Sequence, residues 1–394
     1  MKTLALTETV PLPRPTDKLR LLHYSPSMGM AGLSRMAADV AGCMQMESMA
    51  DNLVLAPNGS VSSMLVANGI PCRRAQRLRL LRYVHEAKRV ARHVRRSGVH
   101  AVLLYGLPAV RVAWLACRRM AAEKRPLFIA VLPGIARGFL AETALNFCDA
   151  VVVNSRTQRQ MLLEKHPKLK VPPECIWVIP YGVDELLCHP HFKVSDAWKQ
   201  DWERRHPQFH RSLSLCIPGS ISPVRGLEYL PDLIHALGAQ GVRAHAYLAG
   251  DVRRADESYI SRLKKLFRSR NTESSVTWLD PRQGMREIMG VCDITLSLSV
   301  HPAVYDRAIL EALSLGRPVV GFDHGAVGEM LNTFLPEGRV SPADLPAMVD
   351  TLVQWNTYRP DMPDTLPYPY RLTDTAQSLV NLCRMLQTAE VTET

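Results

Sequence analysis

The sequence lacks a hydrophobic run long enough to cross a membrane. Its best apolar stretch, residues 101–117, is interrupted by Pro108 and Arg111, whereas a transmembrane helix needs about 20 predominantly apolar residues. Residues 1–17 lack the continuous apolar core of a signal peptide and contain prolines, so we expect a loose tail there. The sequence therefore predicts a cytoplasmic protein that is not integral to a membrane.

The nine cysteines show no pairing pattern. They are scattered from Cys43 to Cys383, and none stands at the spacing of a metal or redox motif. An odd, dispersed set of thiols is typical of a protein in a reducing compartment. The sequence also lacks an Asp-x-Asp motif or a histidine cluster suited to a metal ion. We therefore expect neither disulfides nor a bound metal or other cofactor.

Acidic residues are nearly absent from residues 73–125. This region holds 15 Lys and Arg residues against Glu86 and Glu123, a local net charge of +13 in a chain of +11. A helix predicted over 75–96 places Val84 on its apolar stripe. Its other face carries Arg77, Arg82, Lys88, Arg89, Arg92, Arg95 and Arg96. These cations either face water or bind an anionic membrane surface. Nucleic acid is disfavoured, because the region has no interleaved aromatics and no known binding motif.

The rest of the composition is that of a folded protein. The 394 residues are 47% hydrophobic and 22% charged, and the length suffices for two domains. Short apolar runs alternate with helical patterns in both halves, which predicts the α/β class with two Rossmann-like, doubly wound parallel sheets. We predict a flexible tail (1–17), a first domain (18–185), a linker (186–211), a second domain (212–365) and a C-terminal helix that crosses back to the first domain (366–394).

The stretch 294–329 carries the strongest pattern for a ligand site. Residues 294–298 have the length and composition of a buried strand, and 307–315 follow as a helix. The same order is repeated directly afterwards. Ligands of doubly wound sheets bind outside the carboxyl ends of the strands, where helix N-termini suit phosphate or sugar oxygens. Glu311 lies in the first turns of the helix, where it either hydrogen-bonds such a ligand or faces solvent.

The run LEALSLGRPVVGFDHGAVGE, residues 310–329, resembles the donor-site signature of glycosyltransferase family four, the retaining GT-B enzymes. Its wording is closest to members that build bacterial lipopolysaccharide core or capsule. The resemblance implies two facing domains with a nucleotide sugar, for which we expect UDP, bound mainly by the second. It also implies that Glu311 binds the ribose hydroxyls and that the loop 303–307 positions the hexose. Further donor-binding candidates are Tyr305, Asp306, Arg307, Gly325, Gly328 and Glu329.

The opening of the second domain, LSLCIPGSISPVRG, resembles the family element whose two cations hold the donor diphosphate. Arg225 matches the second cation, which implies a catalytic role in stabilising the leaving group. Gly219 and Ser220 belong to the same element, with Ser220 in place of the first cation. Gly250 ends a later strand in a turn similar to that of the family.

The first domain shows weaker matches. Gly29 and Gly32 lie in a glycine-containing loop after the first predicted strand, which resembles the acceptor-side loop of the family. The run CIWVIPYGVD, residues 175–184, is similar to the family hinge. The acceptor implied by the resemblance is a glycan or a glycolipid.

Four residues depart from the family pattern at ligand-facing positions. They are Ala31, Pro133, Ser220 and Ala303, which stand where the family has Gly, His, a cation and Glu. A methyl group at Ala31 narrows the space for a backbone approach. The sequence therefore leaves two function classes open: a metal-independent, retaining hexosyltransferase, or a non-catalytic paralogue that serves as a partner or scaffold in glycan assembly.

Overall fold

The computed structural model describes residues 18–26, 33–67, 69–75, 83–118, 120, 125–135, 141–250, 257–280 and 284–392. These residues form two α/β domains, each built on its own parallel sheet. The predicted fold class is therefore confirmed.

The first sheet has seven strands in the order β3-β2-β1-β4-β5-β6-β7. The strands are β1 (Arg20–Tyr24), β2 (Asp51–Ala56), β3 (Cys72–Arg74), β4 (Ala101–Tyr105), β5 (Leu127–Leu132), β6 (Ala150–Val153) and β7 (Ile176–Val178). The central strands β4 and β5, AVLLY and LFIAVL, are buried at every position. Continuous apolar runs of this kind are expected where helices cover both faces of a parallel sheet.

The helices of the first domain are α1 (Leu33–Met46), α2 (Ser60–Ala67), α3 (Tyr83–Ser97), α4 (Leu107–Cys117), α5 (Ala141–Leu145) and α6 (Arg156–Lys165). The helix predicted over 75–96 is described only from Tyr83 onward, because residues 76–82 lie outside the described ranges. The assignment of Val84 to its apolar stripe is wrong: this side chain is 48% exposed. The stripe that packs inward consists of Ala87, Val90, Ala91 and Val94.

The second sheet has six strands in the order β10-β9-β8-β11-β12-β13. They are β8 (Leu213–Pro218), β9 (Ala244–Ala249), β10 (Val276–Leu279), β11 (Ile294–Ser297), β12 (Val319–Phe322) and β13 (Arg339–Val340). The helices around this sheet are α7 (Asp196–Arg205), α8 (Leu230–Ala239), α9 (Glu257–Ser269), α10 (Met285–Val291), α11 (Arg307–Ser314), α12 (Gly325–Phe334) and α13 (Leu345–Thr357).

Helix α7 lies within the segment that we predicted as a linker. Its Trp202 is 0% exposed and contacts Tyr247 of β9 at a ring-centroid distance of 5.0 Å. Trp198 stacks on Trp202 at 5.2 Å, and Ser195 caps the helix by accepting from the Trp198 N–H. The segment therefore contributes to the core of the second domain, and its aromatic residues bury apolar area that a solvated connection would leave exposed.

The chain crosses twice between the domains, at 180–184 and again before α14 (Leu372–Thr392). The two crossings pair at the bridge between Val183 and Arg371. Gly182 lies against the Arg371 carbonyl so closely that a Cβ atom would overlap it. Helix α14 then packs on α1 and contributes Leu379, among others, to the core of the first domain. In the described residues no helix is both long and apolar enough to cross a membrane.

Candidate functional site

The carboxyl ends of β8 and β11 carry two loops that meet at the N-terminus of α11. Asp306 caps this helix, because its Oδ1 accepts a hydrogen bond from the Ile309 N–H at 3.4 Å. The loop after β8 contains Gly219 at φ +114° and Gly226 at φ +63°, backbone conformations that favour glycine. Ser299 fastens the two loops by donating from Oγ to the Val224 carbonyl at 2.6 Å.

Arg225 faces Asp306 across this junction. Its Nη1 lies 2.5 Å from Asp306 Oδ2, and its Nη2 donates to the Pro218 carbonyl at 2.5 Å. The two side chains are 17% and 5% exposed. The predicted diphosphate cation therefore already holds a carboxylate of the chain itself. A helix N-terminus and a cation together favour an anion, and here the anion is Asp306.

The remaining residues of the β8 element have different surroundings. A Cβ atom on Gly219 would lie 2.5 Å from Arg225 Nη2, so the glycine makes room for the guanidinium. Ser220 is exposed, and its Oγ is 3.3 Å from Ser222 Oγ. Gly250 lies against the Gly219 carbonyl, where a Cβ atom would collide with the oxygen. Gly250 thus shapes the close approach of two strand ends.

Glu311 lies one turn into α11 and lines a cavity of about 410 Å³. Its Oε1 accepts a hydrogen bond from Arg307 Nε at 2.7 Å. The cavity is bounded by both domains: Arg35, Tyr181, Asp184, Leu187, Cys188, Met285, Arg286, Glu287, Arg307 and Glu311. Burial raises the pKa of the Cys188 thiol to about 12, with a further contribution from Glu311. This thiol is therefore protonated at neutral pH and is not a nucleophile.

Arg307 connects Glu311 to the first domain. Its guanidinium lies 4.5 Å from the centre of the Tyr181 ring, and its Nη2 is 3.6 Å from Asp39 Oδ2. Burial disfavours the charge of Arg307, but Tyr181 and Glu311 more than offset this effect and raise its pKa. Tyr305 donates a hydrogen bond from its hydroxyl to the Tyr181 carbonyl. The loop 303–307 is thereby held against the first domain.

Gly325, Gly328 and Glu329 belong to the next strand-loop-helix and line a different cleft, of about 680 Å³, with Arg156, Arg339 and Tyr368. Glu329 accepts hydrogen bonds from the Arg156 N–H at 3.0 Å and from the N–H and hydroxyl of Thr157, both at 2.8 Å. These groups form the N-terminus of α6, so Glu329 caps a helix of the opposite domain. These residues line a different cleft from Glu311, although Gly325 lies against Ala303 of the loop that precedes α11.

The three arginines predicted as an anion-binding face lie on α3 but differ in their surroundings. Arg92 and Arg95 are exposed. Arg89 is partly buried, lies 3.7 Å from the buried Glu86 and donates to the Arg74 carbonyl. Among the described residues of α3, the exposed cations of this face are Lys88, Arg92, Arg95 and Arg96.

Some predicted positions cannot be placed. Gly29, Gly32 and Ala31 lie outside the described residues. Asp39, Tyr181 and Arg35, which surround the site from the first domain, were not predicted. Asp39 and Arg35 belong to no motif, and the hinge run that contains Tyr181 does not show its partner, because Tyr181 and Asp39 meet Arg307 only through the packing of two domains. Within the described ranges, no group of three or more His, Cys, Asp and Glu side chains is arranged to hold a metal ion.

Residues 213–355 match the family model described as Glycosyl transferases group 1. The matched range contains Gly219, Arg225, Asp306 and Glu311, and the predicted resemblance is confirmed there. No curated protein sequence matches the chain.

Solved structures extend the likeness to 95% of the chain. A glycosyltransferase from Rickettsia africae has a TM-score of 0.72 at 17% identity, covering 95% of this chain and 98% of its own. HepE from Anabaena, in complex with UDP and glucose, has a TM-score of 0.69 at 17% identity and covers 95% and 100%. The apo form of the lipopolysaccharide outer core galactosyltransferase WaaB has 0.60 at 12%, covering 95% and 99%. At these identities the likeness establishes the fold, which is that of the GT-B glycosyltransferases.

Proposed function

We propose that this protein transfers a hexose from a nucleotide sugar to a glycan or glycolipid acceptor. The observation that carries the proposal is the position of Glu311. It lies within the range matched by the glycosyltransferase family model, one turn into α11, and lines a cavity of about 410 Å³ between the domains. A carboxylate there can accept hydrogen bonds from both ribose hydroxyls. HepE, whose structure contains UDP and glucose, favours uracil as the base of the donor nucleotide.

The proposed chemistry requires positive potential where the diphosphate leaves. Arg225 and the N-terminus of α11 supply it, since fixed dipoles and cations stabilise developing negative charge without a metal ion. The acceptor hydroxyl attacks the anomeric carbon from the face that the diphosphate leaves, which retains the configuration. Its proton passes to the departing phosphate oxygen. The likeness to WaaB, a lipopolysaccharide outer core galactosyltransferase, favours a role in lipopolysaccharide synthesis.

The first test is calorimetric titration of the purified protein with UDP, GDP and ADP, each without divalent metal. We expect UDP to bind at least about tenfold more tightly than the others, a difference of about 1.4 kcal/mol. The same order with UDP-glucose would extend the result to the donor. Equal, weak binding of all three nucleotides by a folded sample would contradict a working donor site.

A second candidate function is that of a non-catalytic partner in glycan assembly. The observation that favours it is the ion pair between Arg225 and Asp306, which neutralises the cation that a diphosphate requires. Ser220, exposed beside it, supplies no second cation. The scaffold predicts no nucleotide binding by the wild-type protein or by a variant in which this ion pair is removed.

We further propose that the exposed cations of α3 bind an anionic membrane surface, near a lipid-linked acceptor. Cosedimentation with vesicles containing phosphatidylglycerol should fall steeply between 50 and 300 mM salt, because such contacts are screened within about a Debye length. Replacing Arg92, Arg95 and Arg96 by Gln should reduce the binding about 100-fold, because about 1 kcal/mol per cation gives about 3 kcal/mol in total. A matched triple substitution of Arg204, Arg211 and Arg268 should have little effect. Equal binding to neutral vesicles would contradict the proposal.

A further inference from the structure

Asp39, on α1, accepts hydrogen bonds from two donors of the first domain and forms an ion pair with an arginine of the second. Its carboxylate accepts hydrogen bonds from Arg35 Nε at 2.7 and 3.0 Å and from the Tyr181 hydroxyl at 2.6 Å, and it lies 3.6 Å from Arg307 Nη2. The side chain is only 9% exposed. Burying a carboxylate destabilises the fold unless cations and hydrogen bonds compensate its charge. One of the three compensating groups, Arg307, belongs to the opposite domain.

Beyond Arg307 the same series of contacts reaches Glu311. Arg307 Nε donates to Glu311 Oε1 at 2.7 Å, while Nη2 points to Asp39. Along this series the charges alternate: Arg35, Asp39, Arg307 and Glu311. Arg307 Nη1 is buried and has no hydrogen-bond partner among the described residues. The Arg307 guanidinium therefore contacts Glu311 and Asp39 through one nitrogen each, instead of forming a bidentate pair with either carboxylate.

Because Arg307 contacts both Asp39 and Glu311, one oxygen of Glu311 stays available to a ligand. In the described part of the chain, Glu311 Oε2 accepts no hydrogen bond, so one carboxylate oxygen is left for a ligand. If Asp39 did not hold Nη2, Arg307 could turn to form the two-pronged arginine–carboxylate pair, which is the stronger arrangement. It would then compete for the second oxygen. A fixed Glu311 also loses less side-chain freedom when a ligand binds.

We propose that Asp39 is a positioning residue for the donor site, acting through Arg307 to fix Glu311 with one oxygen free. This inference rests on the proposed function for the identity of the ligand. It adds that Glu311, the carboxylate of the second domain that would bind the sugar donor, is held in position by a residue of the first domain. The affinity for the nucleotide therefore depends on the contact between Asp39 and Arg307, and nucleotide binding in turn stabilises this contact between the domains.

The test is a double-mutant cycle in UDP affinity, with wild type, Asp39→Asn, Glu311→Gln and the double variant. We expect Asp39→Asn to weaken UDP binding about fivefold in the wild-type background, equivalent to about 1 kcal/mol. In the Glu311→Gln background it should weaken binding less than about twofold, since the carboxylate through which it acts is already altered. Equal losses in both backgrounds, or no loss in either, would overturn the inference.

Two controls separate positioning from a general effect on the fold. Asp39→Glu keeps the charge and should retain UDP affinity within about threefold. Asp51→Asn removes an exposed carboxylate of the same domain that pairs with Lys18 at 2.7 Å, and it should leave UDP affinity unchanged. A loss of affinity in Asp51→Asn as large as in Asp39→Asn would contradict a specific role for Asp39.

A readout without nucleotide keeps the inference testable if UDP does not bind. Asp39 and Glu311 share Arg307, so their substitutions should be coupled in the ligand-free protein. We expect the melting-temperature changes of Asp39→Asn and Glu311→Gln to depart from additivity by about 2 °C, the shift that roughly 1 kcal/mol produces in a domain of this size. Additive changes would contradict the coupling of Asp39 to Glu311 through Arg307, whether or not the protein is a transferase.

Discussion

Replacing Asp306 by Asn is expected to raise the affinity for UDP about tenfold, equivalent to about 1.4 kcal/mol. In the wild-type protein a diphosphate must displace, or lie beside, a carboxylate 2.5 Å from Arg225 Nη1. A diphosphate bound to Arg225 would be repelled by the neighbouring carboxylate, because like charges close together in a partly buried site repel each other strongly. The Asn side chain keeps the size and the capping oxygen of the native residue. The substitution therefore frees the cation without removing the start of α11.

The same variant should be less stable without a ligand. Arg225 is only 17% exposed, and removing its carboxylate partner leaves a poorly solvated charge, at a cost of about 3 kcal/mol. We expect the melting temperature of the ligand-free variant to lie about 6 °C or more below that of the wild type. UDP should raise the melting temperature of the variant more than that of the wild type, because the variant binds UDP more tightly. Thermal melts with and without UDP measure both effects.

The matched control is Asp323→Asn. Asp323 also pairs with an arginine, Arg339, at 3.5 Å, but its side chain is 42% exposed. Its loss should change stability by less than about 1 kcal/mol and leave UDP affinity unaltered. Unchanged UDP affinity in Asp306→Asn would mean that Arg225 does not reach the ligand, and reduced affinity would mean that Asp306 itself supports binding. Absence of UDP binding in both the wild type and Asp306→Asn would favour the scaffold.

Replacing Glu311 by Ala is expected to lower the affinity for UDP about 100-fold. Hydrogen bonds to a charged acceptor contribute about 1.5–3 kcal/mol each, and the loss of both ribose contacts removes about 3 kcal/mol. Calorimetric titration with UDP measures the change. The affinity for inorganic pyrophosphate, which has no ribose, should stay within about threefold of the wild type, because the missing contacts are to the sugar.

The control for this substitution is Glu287→Ala, on α10. Glu287 borders the same cavity as Glu311 and pairs with Arg286 at 3.2 Å. If ribose recognition depends on the position of Glu311, Glu287→Ala should retain UDP affinity within about threefold. Comparable losses in the two variants would indicate a general electrostatic effect on the cavity. Retention of UDP affinity in Glu311→Ala would remove the main support for the proposed donor site.

The strands and the helix at the donor site could be predicted because local sequence determines them. Apolar runs such as β4 and β5 are buried on both faces, and Gly316, at φ +67°, follows the end of α11 as a helix-ending glycine should. Helix α7 was missed because its residues are mostly polar. Its signal was the spacing of Trp198 and Trp202, four residues apart on one helix face, with His206 another four residues on, directly after the helix.

The partners of the predicted site residues could not be read from the sequence. Asp39 and Arg307 are 268 positions apart and on different domains, and only the docking of those domains brings them together. The ion pair of Arg225 and Asp306 spans 81 positions between neighbouring strands. A motif identifies the residue types of a site. Which of those residues are paired with an opposite charge depends on the side chains that the fold brings against them.

The return of α14 to the first domain affects how the protein is made. The core shared by β1, β4 and β5 includes Leu372, Leu379 and Cys383, which are translated after the whole second sheet. Domains generally fold as units during synthesis. In this chain the second domain is complete in sequence before the first has received its closing helix. The first domain therefore emerges from the ribosome with an open apolar groove, which stays uncovered until residues 372–383 have been translated. A chain terminated before these residues would keep the groove exposed, where it could aggregate or bind chaperones.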